Sequence, residues 1–144
     1  MPKRIERIER FEGEYSFLSN FSPAEVVFEG ITYPTVEHAY QAAKTVFPDE
    51  REWVRSQTSP ALARKAGRKV TKRADWDPIN TMSYLVAYKF VSHKDLAEKL
   101  LATKPAELIE GNWWGDEFWG VCNGKGKNNL GRILMKVRDI ILTN

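Results

Sequence analysis

A chain of 144 residues with 42% hydrophobic and 28% charged side chains is long enough to bury a core as a single globular domain without disulfide help. One cysteine, Cys122, and two histidines leave neither an internal disulfide nor a zinc site, and a net charge of +3 is too small to argue for nucleic acid by itself. No apolar run approaches a membrane span, and Met1-Pro2-Lys3-Arg4-Ile5-Glu6-Arg7 lacks the apolar stretch of a secretory signal, so the expectation is one cytoplasmic domain over residues 1–144, with no metal, no cofactor and no membrane partner.

The first thirty-odd residues read as short strands. Tyr15-Ser16-Phe17-Leu18 is a brief apolar run, and Val26-Val27-Phe28 and Ile31-Thr32-Tyr33 flank Glu29-Gly30 as a hairpin would. Helical signals follow. Thr35, after Pro34, is a suitable N-cap and puts Glu37 in the first turn, where a carboxylate suits the helix dipole. That helix is expected to run to Pro48, with Asp49 capping a short helix through Trp53 and Val54. Ser59-Pro60, Ala61 to Ala66 and Gly67 read as N-cap, first-turn proline, helix and C-terminal glycine. Helical spacing recurs in Met82, Leu85, Val86 and Phe90, in Leu96, Leu100 and Leu101, and in Leu130, Ile133, Leu134, Val137 and Ile141. The fold class is therefore mainly α with a minor α+β character: a compact helical domain carrying a small N-terminal β-hairpin.

Two segments carry the chemistry. On a helix, positions 37, 40, 41 and 44 place a carboxylate, a phenol, an amide and an amine on one side, beside an apolar stripe of Val36, Ala39, Ala43, Val46 and Phe47. With metal and thiol chemistry set aside, Glu37, Lys44 and Tyr40 favour acid–base or amine-nucleophile work. A plain Glu37–Lys44 ion pair is the bland alternative, and it would hold the amine protonated. His38 points away from this column and reads as structural, as do Trp53 and Trp76 in a core. The second segment, Gly111 to Gly131, gathers Trp113, Trp114, Phe118 and Trp119, then Gly124-Lys125-Gly126-Lys127-Asn128-Asn129 just before a helix. Three tryptophans within seven residues call for packing on the domain or on a ligand, and the Gly-Lys turn offers free N–H groups and positive charge to an anion. Arg64, Lys65, Arg68, Lys69, Lys72 and Arg73 form a basic stretch that reads either as a solvated face or as a phosphate site.

Leu18-Ser19-Asn20-Phe21, Glu37-His38-x-Tyr40-Gln41-x-x-Lys44, Gly67-Arg68, Trp119-Gly120 and Asn128-x-Leu130-Gly131-x-x-Leu134-Met135-x-x-Arg138 together resemble the NADAR (YbiA-like) family, over residues 11 to 142. The resemblance implies a metal-free N-glycosidase with a mainly helical fold that cleaves the bond between a ribose and a base nitrogen. It implies two substrate classes: phosphoribosylamino-pyrimidine intermediates of riboflavin synthesis, and ADP-ribose on guanine in DNA, where such enzymes act as antitoxins to an ADP-ribosyltransferase. On the motif match, the family's Schiff-base lysine is Lys44 and its glutamate is Glu37. Glu37 either shuttles protons for an imine at Lys44 or activates water directly.

Further roles are expected around these two. Asn20, with Phe21 beside it, meets the ribose or base, and Tyr40 and Gln41 line the site. Trp114 and Trp119 stack on a base, with Gly120 allowing close approach. The Gly126 backbone and Asn128 meet phosphate or sugar hydroxyls, and Arg68 neutralises a phosphate. Some riboflavin-type members carry an acid just after the Trp-Gly pair, where this chain has Val121, and the basic stretch leans toward a nucleic-acid-linked substrate. A reader of ADP-ribose or NAD that does not cleave it, and a simple basic nucleic-acid binder, are the alternatives from other classes.

Overall fold

The computed structural model describes residues 5–142, so Met1–Arg4, part of the stretch read for a leader, lies outside the described residues. In chain order the elements are β1 (Arg7–Ile8), a 3-10 turn (Gly13–Leu18), β2 (Val26–Phe28), β3 (Ile31–Tyr33), α1 (Val36–Ala42), α2 (Pro48–Arg55), α3 (Pro60–Gly67), α4 (Pro78–Ser92), α5 (Lys94–Ala102), β4 (Glu107–Leu108), β5 (Gly111–Asn112), β6 (Val121–Cys122) and α6 (Asn129–Leu142). The protein is mainly α, as the periodicities predict. The elements fall into two compact units: Asn20–Ser92, and Met1–Ser19 together with His93–Asn144.

In the unit Asn20–Ser92, β2 and β3 pair antiparallel with Val26 opposite Tyr33 and Phe28 opposite Ile31. Glu29 and Gly30 both have positive φ, 47° and 81°, as a tight two-residue hairpin turn requires. α1 packs against α2, α3 and α4. Every one of its seven residues is buried, the polar ones included. Thr35 caps it, its hydroxyl accepting from the His38 amide at 3.1 Å. Ser59 caps α3 in the same way through the Leu62 amide, and the Asp77 carboxylate accepts from the Asn80 amide at the start of α4. Val26, Val36, Ala39, Val54, Met82, Leu85 and Phe90 fill the core. Truncating a side chain such as Phe90 to alanine costs about 3–5 kcal/mol.

Several boundaries differ from the sequence expectation. α1 stops at Ala42, six residues before Pro48, so Val46 and Phe47 leave the apolar stripe and are about half exposed. Phe47 rather than Asp49 occupies the N-cap of α2, because Pro48 fits the first helical position and moves Asp49 into the first turn. Trp53 faces outward, 43% exposed, and is not a core residue.

In the other unit, β1 and β4 pair parallel, as do β5 and β6. Tyr15–Leu18 belongs to the 3-10 turn rather than to a strand, which still buries Phe17 and Leu18. α6 packs on α5 and β4 through Leu130, Ile133, Leu134 and Val137. Arg138, also buried, donates from Nη1 to the Thr103 hydroxyl at 3.0 Å and to the Ala106 carbonyl at 2.8 Å. Among the described residues no helix is long and apolar enough to cross a membrane, and no cluster of three or more metal-ligating side chains occurs.

Candidate active site

The reactive column sits at the centre of the unit Asn20–Ser92. Glu37 is 4% exposed and Gln41 equally so. Gln41 Nε2 donates to Glu37 Oε2 at 2.6 Å, the i to i+4 contact that the helix spacing predicts. The Glu37 backbone amide donates to the Asn20 carbonyl at 3.2 Å, and the Asn20 carboxamide reaches the Met82 sulfur at 3.3 Å. Asn20 is thus buried against the head of α1. His38 is structural as expected: its Nδ1 lies 2.7 Å from the Thr35 hydroxyl and its Nε2 lies 2.9 Å from the Gln57 carbonyl. A carbonyl can only accept, so Nε2 carries the proton and Nδ1 accepts from Thr35.

The ion-pair partner of Glu37 is Arg64 on α3, at 3.6 Å, and Lys44 forms no ion pair among the described residues. Arg64 also lies over the Phe21 ring, 4.9 Å from its centroid. The bland Glu37–Lys44 pair is therefore replaced by a Glu37–Arg64 pair. Sequence spacing along one helix could not reveal it, because the partner comes from another helix.

Lys44 lies just past the end of α1, on a turn clamped from several directions. Its amide donates to the Gln41 carbonyl, and its carbonyl accepts from the Arg73 amide at 2.7 Å. The next residue, Thr45, donates its hydroxyl to Glu50 at 2.6 Å, and the same carboxylate accepts from the Thr71 amide. The Lys44 ammonium lies 5.5 Å from the Tyr40 ring centroid. Burial pushes the Lys44 pKa below the ordinary lysine range; Glu37 opposes this, and Lys72, Arg68 and Arg64 reinforce it. The basic stretch thus acts on the lysine itself, which neither sequence reading of that stretch foresaw.

Three further residues of this unit bear on the column. Arg68 is exposed at the C-cap of α3. Gly67 is the last residue of α3, as expected, and its smallness also serves an approach: a Cβ there would run into the Gln41 carboxamide. Gln41 Oε1 is buried against it with no hydrogen-bond partner. Trp76, expected in the core, is half-buried and packs on Tyr40 at 5.2 Å between centroids. Arg64 and Trp76 are the site residues that spacing missed.

The Gly111–Gly131 segment, in the other unit, is organised differently. The amides of Lys127, Asn128, Asn129 and Leu130 donate to the carbonyls of Glu117, Gly120, Phe118 and Trp119. Of the N–H groups in this turn, those of Lys125, Lys127, Asn128 and Asn129 are thus engaged by the segment's own carbonyls. The Asn128 carboxamide accepts from the Glu110 amide and donates to the Leu108 carbonyl, both at 2.9 Å. Gly120 is small because Glu110 and Asn112 crowd it, and Gly126 runs against the Gly120 carbonyl. Trp119 is half-buried, edge-on to Phe118 at 4.8 Å, whereas Trp113 and Trp114 are 79% and 49% exposed.

The column can therefore offer a half-buried amine with weakened proton affinity beside an oriented carboxylate, the pairing needed for nucleophilic addition with proton transfer. Comparison with known proteins agrees in kind. The NADAR domain model matches residues 8–142. The chain is 36% identical to N-glycosidase YbiA of Escherichia coli over 155 residues, covering 96% of each. It is 38% identical to N-glycosidase Npun_R5314 of Nostoc punctiforme, over 88% of this chain and 86% of that one. It is 40% identical to riboflavin biosynthesis protein VVA0006 of Vibrio vulnificus, over 87% of this chain but only 35% of that longer protein. The solution structure of E. coli YbiA superposes with a TM-score of 0.83 at 34% identity, covering 99% of this chain and 88% of that one. This chain belongs to the NADAR domain family.

Proposed function

We infer that the chain is an N-glycosidase that uses Lys44 as an amine nucleophile at C1 of a ribosylated base nitrogen. The single observation carrying this reading is the state of Lys44: its proton affinity is lowered by burial and nearby cations, while the neighbouring carboxylate is paired elsewhere. A ribose bound at C1 to nitrogen opens when the nitrogen lone pair forms a C1=N bond, the ring C1–O bond breaks and Glu37 passes the proton of that nitrogen to the ring oxygen. The neutral Lys44 amine adds to C1, and Glu37 carries a proton from the lysine nitrogen to the leaving nitrogen. The C1–base bond then breaks and a lysine imine remains. Water adds to that imine, returning the amine and releasing the aldehyde sugar. Gln41 and Arg64 hold the carboxylate in place.

For the substrate, we propose ADP-ribose on guanine in DNA, with the chain paired functionally to the ADP-ribosyltransferase that installs the mark and working in the cytoplasm. Lys65, Arg68, Lys69 and Lys72 are exposed, which suits a polyanion. Phosphoribosylamino-pyrimidines are the second reading, favoured by the name of the Vibrio relative. Incubation with an ADP-ribosylated guanine oligonucleotide and with a phosphoribosylamino-pyrimidine separates them. Release of free ADP-ribose from the first alone supports the DNA reading, cleavage of the second alone supports the riboflavin reading, and turnover of neither overturns the enzyme.

A further inference from the structure

A second feature of the unit Asn20–Ser92 is not used by the chemistry above. An open cleft of about 480 Å³ is walled by the rings of Phe28, Trp76 and Tyr84, with Glu29, Arg73 and Asp75 among its charged groups. Its volume lies within the range of small-ligand sites. It also adjoins the reactive segment. Trp76 packs on Tyr40, and the Arg73 amide holds the Lys44 carbonyl.

The charges decide what such a cleft accepts. Arg73 is committed: Nε and Nη2 donate to the two Asp75 oxygens at 2.7 and 3.2 Å, and Nη1 lies 3.9 Å from Glu29. With Asp77 the lining holds three carboxylates, against Arg73 and against Arg51, which pairs with Glu29 at 2.8 Å from outside the lining. A phosphate is repelled, whereas the remaining carboxylate lone pairs favour N–H donors. The rings supply flat apolar faces; Tyr84 is 53% exposed and edge-on to Phe28 at 6.2 Å. Stacking surfaces with acceptors at the rim suit a planar nitrogen heterocycle bearing amino or imino hydrogens.

We propose that this cleft binds the departing base of the substrate, stacked on Trp76 and Tyr84 with its N–H edge toward the carboxylates. The proposal rests on the N-glycosidase reading, because it supplies the base site for that reaction. Phosphates are left outside the cleft.

Equilibrium dialysis tests it without turnover. Guanosine, with N–H donors on its base, should bind the wild-type protein at least about tenfold more tightly than purine riboside, which lacks them, and more tightly than guanosine 5′-monophosphate. Tyr84→Ala should weaken guanosine binding about tenfold with an unchanged melting temperature. Equal binding of guanosine and purine riboside, a preference for the monophosphate, or an unchanged affinity in well-folded Tyr84→Ala overturns the cleft assignment. The comparison between ligands needs no variant, so it stands even if Tyr84→Ala fails to fold. If guanosine fails to bind while the wild type cleaves a ribosylated base, the cleft alone is wrong. If guanosine binds as described while the wild type cleaves no ribosylated base, the N-glycosidase reading fails separately.

Discussion

In the Glu37–Lys44 segment a buried carboxamide oxygen has no partner and an amine is held short of its ordinary proton affinity. In the Gly111–Gly131 segment four successive amides, the Asn112 and Asn128 carboxamides and the Asp116 carboxylate all bond within their own unit. The sequence marks both segments with aromatic and carboxamide side chains beside charge. The difference lies in what the backbone demands. An irregular segment must satisfy its own amides and carbonyls, and it draws its polar side chains into that task. A short helix satisfies its amides through its own carbonyls, its cap and a neighbouring carbonyl, and leaves most of its side chains for chemistry. A buried polar group without a partner costs about 1–3 kcal/mol; the Gln41 oxygen is such a group, as are the Tyr33 hydroxyl and Arg138 Nε outside both segments.

Substitutions in the two segments should therefore fail in different ways, and the largest effect should come from the helix. Glu37→Gln removes the proton carrier and should lower kcat about 10²- to 10⁴-fold, measured on the ribosylated substrate, with little change in urea midpoint. Asn128→Ala should do the reverse. It leaves the Glu110 amide and the Leu108 carbonyl without partners and should cost about 2 kcal/mol of stability by urea denaturation, without lowering kcat. A large loss of kcat in stable Asn128→Ala would restore a ligand role for that residue.

Two smaller effects sharpen the contrast through pH. Lys72 and Arg68 lower the Lys44 pKa, so Lys72→Gln with Arg68→Gln should raise it toward the ordinary lysine range. Less neutral amine is then present near neutrality, so the pH–rate profile should move to higher pH, with a few-fold loss at pH 7 that alkaline pH restores. Added salt should mimic the effect, since these cations are exposed. Lys89 on α4 supplies a control within the same unit: burial lowers its pKa to about 7 from 10.5. Between those values the unfolded chain binds a proton there that the folded one does not, so stability should rise with pH across that window and fall back toward pH 7. Lys89→Met should flatten that rise in pH-dependent melting, and it should leave imine formation at Lys44 intact.

Much of the fold was legible because its signals are local. Caps at Thr35 and Ser59, the Glu29-Gly30 turn and the apolar spacing of α4 and α6 each follow from neighbours within a few residues. Helix length was less legible. Ala43 and Lys44 are good helix formers, yet α1 ends at Ala42, where the following turn is held by Arg73 and Glu50 from beyond the helix. The Glu37–Gln41 contact could be read from spacing. Arg64 and Trp76 could not, because they reach the column from other elements. Glycine was the subtlest case. Gly67 ends α3 as its place in the sequence suggests, and it also makes room for Gln41, a reason visible only once α1 and α3 are packed together.

Borohydride trapping during turnover, followed by peptide mass spectrometry across pH, tests the central claim most directly. The account predicts a sugar-mass adduct on Lys44 and none on Lys89. The adduct should appear with a midpoint below the ordinary lysine range and vanish in Lys44→Met. An enzyme that turns over substrate at full rate in borohydride with no adduct on Lys44 would contradict it and leave Glu37-activated water as the mechanism.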